Sequence, residues 1–235
     1  KSNLKFSNLD KEKIDLVNID KTFNTSERGI NNIKAKEFFK KKLKDNIFLK
    51  KEIKSIKRIN KKFKINNKIY DFVINCSYQQ SFKLKHLDLT YEHCLFSIYK
   101  AKNKNQKSYT IMDGPFYTLL KWNKNLFGLY SVKDSRIFIS KNFNRVHKSF
   151  KSLSVKKENQ VKEKILNGFL KFYPNFKNNF KFVKNLYTIR TIIKNKKDAR
   201  VCIVKNNDNF INILSGKIDH IFYAYKEVLK CIKTY

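Results

Sequence analysis

The chain has 235 residues, and its 53 Lys and Arg residues against 19 Asp and Glu residues give a net charge of +34. Such a charge would repel itself in a free monomer, so a polyanion such as nucleic acid is the predicted partner. Hydrophobic residues make up 41% of the chain, which excludes an intrinsically disordered protein. No apolar run reaches the roughly 20 residues that span a bilayer, so we expect no membrane partner.

The cations are unusual in kind, because only six are Arg and the rest are Lys. Lys, Asn, Ile, Phe and Tyr are all abundant, and all have A/T-rich codons. This bias indicates an A/T-rich coding genome such as that of a mitochondrion or a relict plastid. Codon drift accounts for part of the positive charge, but by itself it does not explain the deficit of acids.

Residues 1–30 are polar and are predicted to form an extended arm. Apolar residues then recur at steps of three to five, which is typical of a helix; they are Ile33, Phe38, Phe39, Leu43, Ile47, Phe48, Ile53, Ile56 and Ile59. Lysines fill the other faces. The segment is either a solvated amphipathic helix or a basic helix along RNA, and the total charge favours the second interpretation.

The middle of the chain alternates between strand and helix patterns. Residues 68–76 and 109–112 are rich in β-branched and aromatic residues and predict strands. Residues 87–98 carry an apolar stripe at helical spacing, with Asp88 or Thr90 as the N-cap. Residues 158–170 predict a second helix, and residues 176–183 a last strand.

Between these elements lies a basic aromatic arm, residues 114–151. It holds eight bases and one acid, Asp134. Bases interleaved with rings suit phosphate contact and base stacking, so we interpret the arm as an RNA-binding hairpin. The alternative is an ordinary hairpin whose rings pack on a sheet.

The order strand, helix, strand, arm, strand, helix, strand predicts an α+β fold. Its core is a ferredoxin-like βαββαβ domain, in which two helices cover one face of a four-stranded sheet. We predict three regions: a basic N-terminal extension with a helix (1–65), the core domain (66–186) and a C-terminal extension (187–235). The C-terminal extension is predicted to be a β-hairpin over 200–214 followed by an amphipathic helix from Ile218.

Several short motifs follow one another in the core region. Gly114-Pro115 ends a strand, a Val-Lys-Asp-Ser-Arg run (132–136) lies in the arm, and His147-Lys148 precedes the second helix. In this order they resemble small-subunit ribosomal protein ten of the bacterial and organellar type. The resemblance covers about half the chain and leaves both extensions outside it.

This resemblance implies a structural constituent of the small subunit of a mitochondrial ribosome, with a relict plastid as the alternative location. The implied partners are the small-subunit rRNA and neighbouring proteins of the subunit head, with no small-molecule substrate and no cofactor. The expected rRNA-binding residues lie on the arm: Lys121, Lys124, Lys133, Ser135, Arg136, Lys141, Arg145, His147 and Lys148. The alternatives are another organellar ribosomal protein or an RNA-binding ribosome assembly factor.

Catalytic motifs are missing from the sequence, so we expect no enzyme. The five glycines lie far apart and form no glycine-rich phosphate loop. The four cysteines form no C-x-x-C pair, which argues against a zinc knuckle, and Cys94 is predicted to be buried beside a surface His93. A metal-dependent nuclease stays open as a lesser alternative, because four acids could meet around Mg²⁺; they are Asp71, Asp88, Glu92 and Asp113.

Overall fold

The structure is a computed structural model that describes residues 5–9, 14–26, 29–82, 84, 87–112, 114–194 and 201–233. Its strands are β1 (Phe6–Asn8), β2 (Phe23–Thr25), β3 (Lys57–Ile59), β4 (Lys62–Ile65), β5 (Lys68–Tyr70), β6 (Val73–Asn75), β7 (Leu89–Ala101), β8 (Tyr109–Ile111), β9 (Tyr117–Asn123), β10 (Leu126–Ser131), β11 (Arg136–Ser140), β12 (Phe180–Ile193), β13 (Cys202–Asn207) and β14 (Phe210–Ser215). Its helices are α1 (Asn32–Lys42), α2 (Phe143–Lys151), α3 (Val155–Leu170), α4 (Phe176–Asn179) and α5 (Ile221–Lys233), with 3-10 turns at Lys44–Asn46 and Ile218–His220.

The chain divides into two compact units. The first unit comprises Lys1–Ile47, His93–Phe138 and Lys148–Thr188, and the second comprises Phe48–Glu92, Ile139–His147 and Ile189–Tyr235. The boundaries predicted at 65/66 and 186/187 are a different division and stay a prediction.

A six-stranded sheet is the largest element of the structure. Its strand order is β11-β7-β10-β9-β8, and β12 also pairs with β7. The pairings of β8 with β9, β9 with β10 and β10 with β7 are all antiparallel, and Gly128 lies opposite Ile98 in the last of them. A bulge between Leu126 and Phe127 follows the turn that joins β9 to β10.

The core of the first unit lies between this sheet and helix α3. The helix presents Val161, Ile165, Leu166 and Phe169 as its buried face. Its N-terminus is capped because the Ser154 hydroxyl accepts a hydrogen bond from the Lys157 amide. Aromatic rings supply much of the remaining core; they include Tyr99, Tyr117, Phe127, Tyr173, Phe176 and Phe180.

Helix α3 approaches β9 closely at Gly168. A Cβ at Gly168 would lie 1.7 Å from the Tyr117 hydroxyl oxygen and 2.6 Å from the ring carbon that bears it. Only a residue without a side chain lets the helix sit at this distance from the sheet.

The second unit contains two three-stranded sheets. Strands β3, β4 and β5 are antiparallel, while the antiparallel hairpin of β13 and β14 takes β6 as a parallel neighbour. The Phe210 ring contacts Phe63 and Phe82, with centroids 5.8 and 6.4 Å away. Helix α5 packs on β13 and β14 and buries Ala224 and Val228.

The predicted ferredoxin-like core is wrong, because its first helix is a strand. Residues 87–98 were expected to be helical, but Leu89–Ala101 forms β7 at the middle of the large sheet. The strand is buried on both faces, so apolar residues occupy odd and even positions alike and the period of two is lost. Asp88 and Thr90 therefore cap no helix.

The predicted arm does not protrude as one hairpin. Residues 117–140 form β9, β10 and β11 within the large sheet, and helix α2 follows. The chain reverses between β9 and β10 at Lys124, whose φ is +37°. Gly128, the residue expected to allow the reversal, is instead buried inside β10.

Two further segments differ from prediction. The helical pattern from Ile33 to Ile59 yields only α1 and a 3-10 turn before β3 begins at Lys57. The strand expected at 176–183 begins as the short helix α4, and β12 then continues to Ile193. The strand at 109–112, the helix at 158–170 and the C-terminal hairpin and helix are confirmed.

Among the residues that the structure describes, no helix combines the length and the apolar character needed to cross a bilayer.

The close approach at Gly168 predicts a large cost for a single methyl group. Gly168→Ala should destabilise the protein by about 1–3 kcal/mol, because the new methyl overlaps the Tyr117 ring and the helix must shift. The measurement is urea unfolding of both proteins. The matched control is Gly29→Ala, since no atom lies within 4 Å of a Cβ at that position. Equal effects at both glycines would contradict this account.

Candidate functional site

The residues predicted to bind rRNA in the first part of the arm lie on several elements. Lys121 is exposed on β9, Lys124 on the turn after it, and Lys133 on the turn before β11. Ser135 is buried and structural, since its hydroxyl accepts a hydrogen bond from the Ser131 amide at 2.9 Å. The Arg136 Nε donates to the Lys133 carbonyl at 3.1 Å, which turns this guanidinium back onto its own loop.

The remaining predicted residues lie in or near helix α2. Lys141 forms a 2.7 Å salt bridge with Asp88. Arg145 and Lys148 are exposed, and the His147 ring stacks on Phe143 with centroids 5.6 Å apart. The nine residues thus lie on two strands, several connections and a helix, and their role stays a prediction.

The acids considered for a Mg²⁺ site lie apart in separate ion pairs. Asp71 pairs with Lys62 at 2.9 Å and Glu92 pairs with Arg190, while Asp88 is held by Lys141. Asp113 lies outside the described residues. Within the described parts of the chain, no group of His, Cys, Asp and Glu side chains could hold a metal ion.

The pair of Glu92 and Arg190 is the most buried ion pair that the structure describes. Glu92 lies on β7 and Arg190 on β12, and their side chains are 6% and 19% exposed. An Arg Nη2 donates to the Glu92 Oε2 at 2.5 Å. Burying two charges is costly unless they are paired, so each residue holds the other in a fixed orientation. The planar guanidinium fork is thereby set rigidly on the sheet.

A left-handed turn is bonded to the residues that adjoin this pair in each strand, whose side chains point to the opposite face of the sheet. Tyr78 and Gln79 have φ of +57° and +58°, which is unusual for two consecutive residues other than glycine. The neighbours of the pair hold the turn: the Tyr91 hydroxyl donates to the Gln79 carbonyl at 2.8 Å, and the Thr191 hydroxyl donates to the Tyr78 carbonyl at 2.7 Å. Backbone strain of this kind persists where the surroundings enforce it, and it is frequent at functional sites.

Glu92 and Arg190 together form what we call the ion-pair site, which lies within the second unit. Burial raises the pKa of the Tyr91 hydroxyl, so this group is a neutral hydrogen-bond donor. The ion-pair site offers a fixed cation and its counter-ion, an arrangement that can orient a small polar molecule.

His93 is a second unusual polar residue, and it lies in the first unit. The prediction that it is on the surface is wrong, because it is fully buried, whereas the predicted burial of Cys94 is confirmed. Its Nδ1 lies 3.1 Å from the Ser149 hydroxyl, and its ring contacts Phe150 and Tyr187. Its Nε2 has no hydrogen-bond partner in the described part of the chain. Burial lowers the pKa of His93 to about 4, so the ring is neutral near pH 7.

A buried carboxylate anchors helix α3 to the sheet. The Tyr117 hydroxyl donates to Asp134 at 2.7 Å, and the Lys164 ammonium lies 3.0 Å from the other carboxylate oxygen. Burial acts to raise the pKa of Asp134, but the hydrogen bonds from Tyr117 and Lys164 outweigh it and leave the pKa lowered. Burial and the bond to Asp134 raise the pKa of Tyr117. The cluster is structural, since every member is used in holding the helix.

The comparisons with known proteins point to enzymes. No family model matches the chain. A curated relative, the FAD-dependent monooxygenase FPY4 of Fusarium mangiferae, is 23% identical over 220 residues, which cover 93% of this chain and 59% of the relative. The crystal structure of glycine oxidase from Geobacillus kaustophilus aligns with a TM-score of 0.50 and 9% identity, over 74% of this chain and 44% of that one. This chain thus spans only about half of the length of the proteins it matches.

These findings correct the functional assignment made from sequence. The chain resembles oxidoreductases in sequence and in fold, so the assignment to small-subunit ribosomal protein ten is wrong. The same findings contradict the predicted partners, which were rRNA and proteins of the subunit head. They also contradict the alternatives of an assembly factor or a nuclease, and the expectation that the chain is no enzyme and has no small-molecule substrate. The likeness to glycine oxidase, at 9% identity, establishes the fold alone. The mitochondrial or plastid location stays a prediction.

The residues of this chain do not fit an FAD nucleotide site. Dinucleotides are held where a strand, a glycine-rich turn and a helix N-terminus meet. The sequence has five scattered glycines and no G-x-G-x-x-G motif. In the described part of the chain, Gly114 leads from one strand towards another, Gly128 lies within a strand and Gly168 within a helix. We therefore assign no residue here to the FAD pyrophosphate.

Sequence reasoning missed the ion-pair site, although a signal was present. Glu92 was considered only as a metal ligand on a predicted helix. It interrupts an otherwise apolar run in residues 89–99, and Arg190 interrupts another in residues 186–193. A charge inside an apolar strand needs a buried partner of opposite sign, so the two runs could have been paired.

The ion-pair site predicts strong coupling between Glu92 and Arg190. Glu92→Met or Arg190→Met alone should cost about 3–5 kcal/mol of stability, because each leaves one buried charge without its counter-ion. The double variant should lose less folding stability than either single variant. Unfolding free energies of the four proteins measure the coupling.

The control cycle uses Arg58 and Asp208, a 2.8 Å salt bridge whose side chains are 50% and 72% exposed. There the coupling should stay below about 1 kcal/mol. If the double variant at Glu92 and Arg190 lost as much stability as the two single variants together, the two charges would not depend on each other.

His93 predicts a pH dependence of stability. Its pKa is about 4 in the folded protein and about 6.5 when exposed, so the unfolded chain binds more protons between these values. Stability should therefore fall as the pH falls from about 6.5 to 4, by about 2–3 kcal/mol in total. His93→Leu should reduce the change of the unfolding free energy with pH. His147→Leu, at an exposed position, should leave that change as it is in the wild type. The measurement is urea unfolding across this pH range, and identical slopes in all three proteins would refute the assignment.

Proposed function

We propose that this chain is the sheet-bearing part of an FAD-dependent oxidoreductase that acts on a small molecule. The observation that carries the proposal is the similarity to the FAD-dependent monooxygenase FPY4, because it extends over 93% of the chain and is not confined to one motif. The fold likeness to a glycine oxidase is compatible with this proposal, since it shows that the chain shares a fold with part of that protein.

In this proposal the dinucleotide is held by polypeptide other than these 235 residues. The chain has no glycine-rich turn for the pyrophosphate, as its scattered glycines show. Flavin supplies the redox chemistry when it is bound, while the protein binds and orients the substrate. The contribution assigned to this chain is a rigid sheet that presents fixed polar groups.

The ion-pair site is the part of the chain that we propose faces the substrate. Arg190 is 19% exposed and is oriented by the almost fully buried Glu92. A guanidinium held in this way binds a carboxylate or another planar anion with defined geometry. Because Glu92 already holds the guanidinium in place, binding would require little reorganisation.

The test is the flavin content of the native protein. The protein is purified from its source cells under mild conditions, together with any polypeptide that remains attached. The visible spectrum of oxidised flavin should be present, and chromatography of the flavin released by heat should identify FAD rather than FMN. Oxygen consumption on addition of a reductant should depend on this flavin.

Arg190→Lys gives a matched variant for the role of the site, because it keeps the positive charge and removes the planar fork. In this variant the apparent KM for the small-molecule substrate of the flavin-dependent reaction should rise by about tenfold or more, while its FAD content stays unchanged. Lys62→Arg is the control, since Lys62 pairs with Asp71 at the exposed surface. Native protein that carries no flavin and takes up none would overturn the proposal as a whole.

A further inference from the structure

Helix α1 and the 3-10 turn after it form a segment without a buried core. No residue of α1 is buried, although the segment is rich in apolar side chains. The exposed fractions are 47% for Ile33, 57% for Phe38, 52% for Phe39, 43% for Leu43 and 39% for Ile47. Large apolar residues exposed together in this way mark an interaction surface.

Apart from Ile33, which lies on the opposite side, the apolar residues of the helix and its C-cap share one side. At roughly 100° per residue, Phe38, Phe39 and Leu43 fall within an arc of about 140°. The Phe38 and Phe39 rings touch edge to face with centroids 5.4 Å apart, so they form one continuous patch. The rest of the opposite side is polar and basic.

The charge of the segment is strongly positive. Residues 31–47 contain six lysines and two acids, Glu37 and Asp45, which gives +6 − 2 = +4. The lysines are Lys34, Lys36, Lys40, Lys41, Lys42 and Lys44. Lys42 lies on the apolar side, where a long stem can run along the apolar surface and place its ammonium at the edge.

An 11-residue helix without tertiary packing is only marginally stable in water. The Asn31 side chain caps its first turn by accepting from the Lys34 amide at 3.1 Å, but one cap contributes little against the cost of ordering the chain. A surface that covers Phe38, Phe39 and Leu43 would supply the missing stabilisation.

We propose that α1 and the turn after it (residues 31–47), which we call the basic apolar helix, bind the surface of an anionic lipid bilayer. A short helix with aromatic residues on one side and lysines on the other lies in the plane of a membrane interface. The rings enter the acyl boundary and the lysines meet anionic headgroups, so both faces are satisfied at once. A duplex nucleic acid would engage the lysines but leave Leu43 and the rings in water, since its bases are already stacked on one another.

This inference is independent of the proposed redox function, because it rests on residues outside the ion-pair site. It is also consistent with the lack of a membrane-spanning helix in the described residues, since an interfacial helix does not cross the bilayer.

The experiment is sedimentation of the full chain with vesicles of phosphatidylcholine, with and without phosphatidylserine. Binding should be strong only with phosphatidylserine and should weaken with salt. The double variant Phe38→Ser/Phe39→Ser should bind at least about tenfold more weakly, since two apolar rings no longer leave water. Its urea unfolding should match the wild type, because neither ring is buried.

Phe222→Ser is the matched control, because Phe222 is 75% exposed on another helix. It should leave vesicle binding unchanged. Lys40→Glu/Lys41→Glu should reduce binding to phosphatidylserine vesicles while both rings remain in place.

Three outcomes would overturn the proposal. Binding that does not depend on phosphatidylserine or on the two rings would exclude this helix as the contact. Protection of Phe38 and Phe39 from oxidative footprinting without vesicles would show that protein covers the patch. Binding to RNA that is lost in the same ring variant would show that nucleic acid is the occupant.

Discussion

The burial of strand β7 on both faces is the constraint on which the rest of the structure depends. The strand has 13 residues, and it pairs with β10, β11 and β12. A strand without a solvent face must have every backbone group paired and every polar side chain matched with a partner. The neighbouring strands and the helices over the sheet follow from that requirement.

The polar side chains on β7 show how the requirement is met. Glu92 is neutralised by Arg190, His93 faces Ser149, and the Ser97 hydroxyl donates to Asn185 at 2.7 Å. Asn185 in turn donates to Glu158 at 2.7 Å, which ties β12 to helix α3. A sheet held by such contacts is rigid, and rigidity is what a site that orients a small substrate requires.

The elements that sequence predicted correctly are those with a clear local pattern. Helix α3 buries one side, so its period of 3.6 is visible in the sequence. The β13–β14 hairpin was predicted from two apolar runs on either side of a turn-forming loop. Strand β7 shows no alternation of apolar and polar residues, because both of its faces are buried. Its buried residues Tyr91, Cys94, Leu95 and Ile98 have a spacing that matches a helix by chance. The same segment led to the ribosomal resemblance, since a helix was required between its first two strands. The ion-pair site depends on pairing β7 with β12, strands about 90 residues apart in sequence. The only local signal for that pairing is the single charge within each strand, Glu92 and Arg190.

The net positive charge led to the wrong prediction of a nucleic-acid partner for a related reason. A net charge does not show where in the structure the charged residues lie. Most lysines of this chain are exposed on many separate elements, as expected when A/T-rich codons replace one solvated residue with another. Such substitutions cost little folding free energy, so they accumulate without defining a site. Glu92, Asp134 and Arg190 are different, because a charge held away from water persists only where a partner compensates for it. Buried charges therefore mark specific pairings in the fold, whereas the net charge alone does not show where a surface site lies.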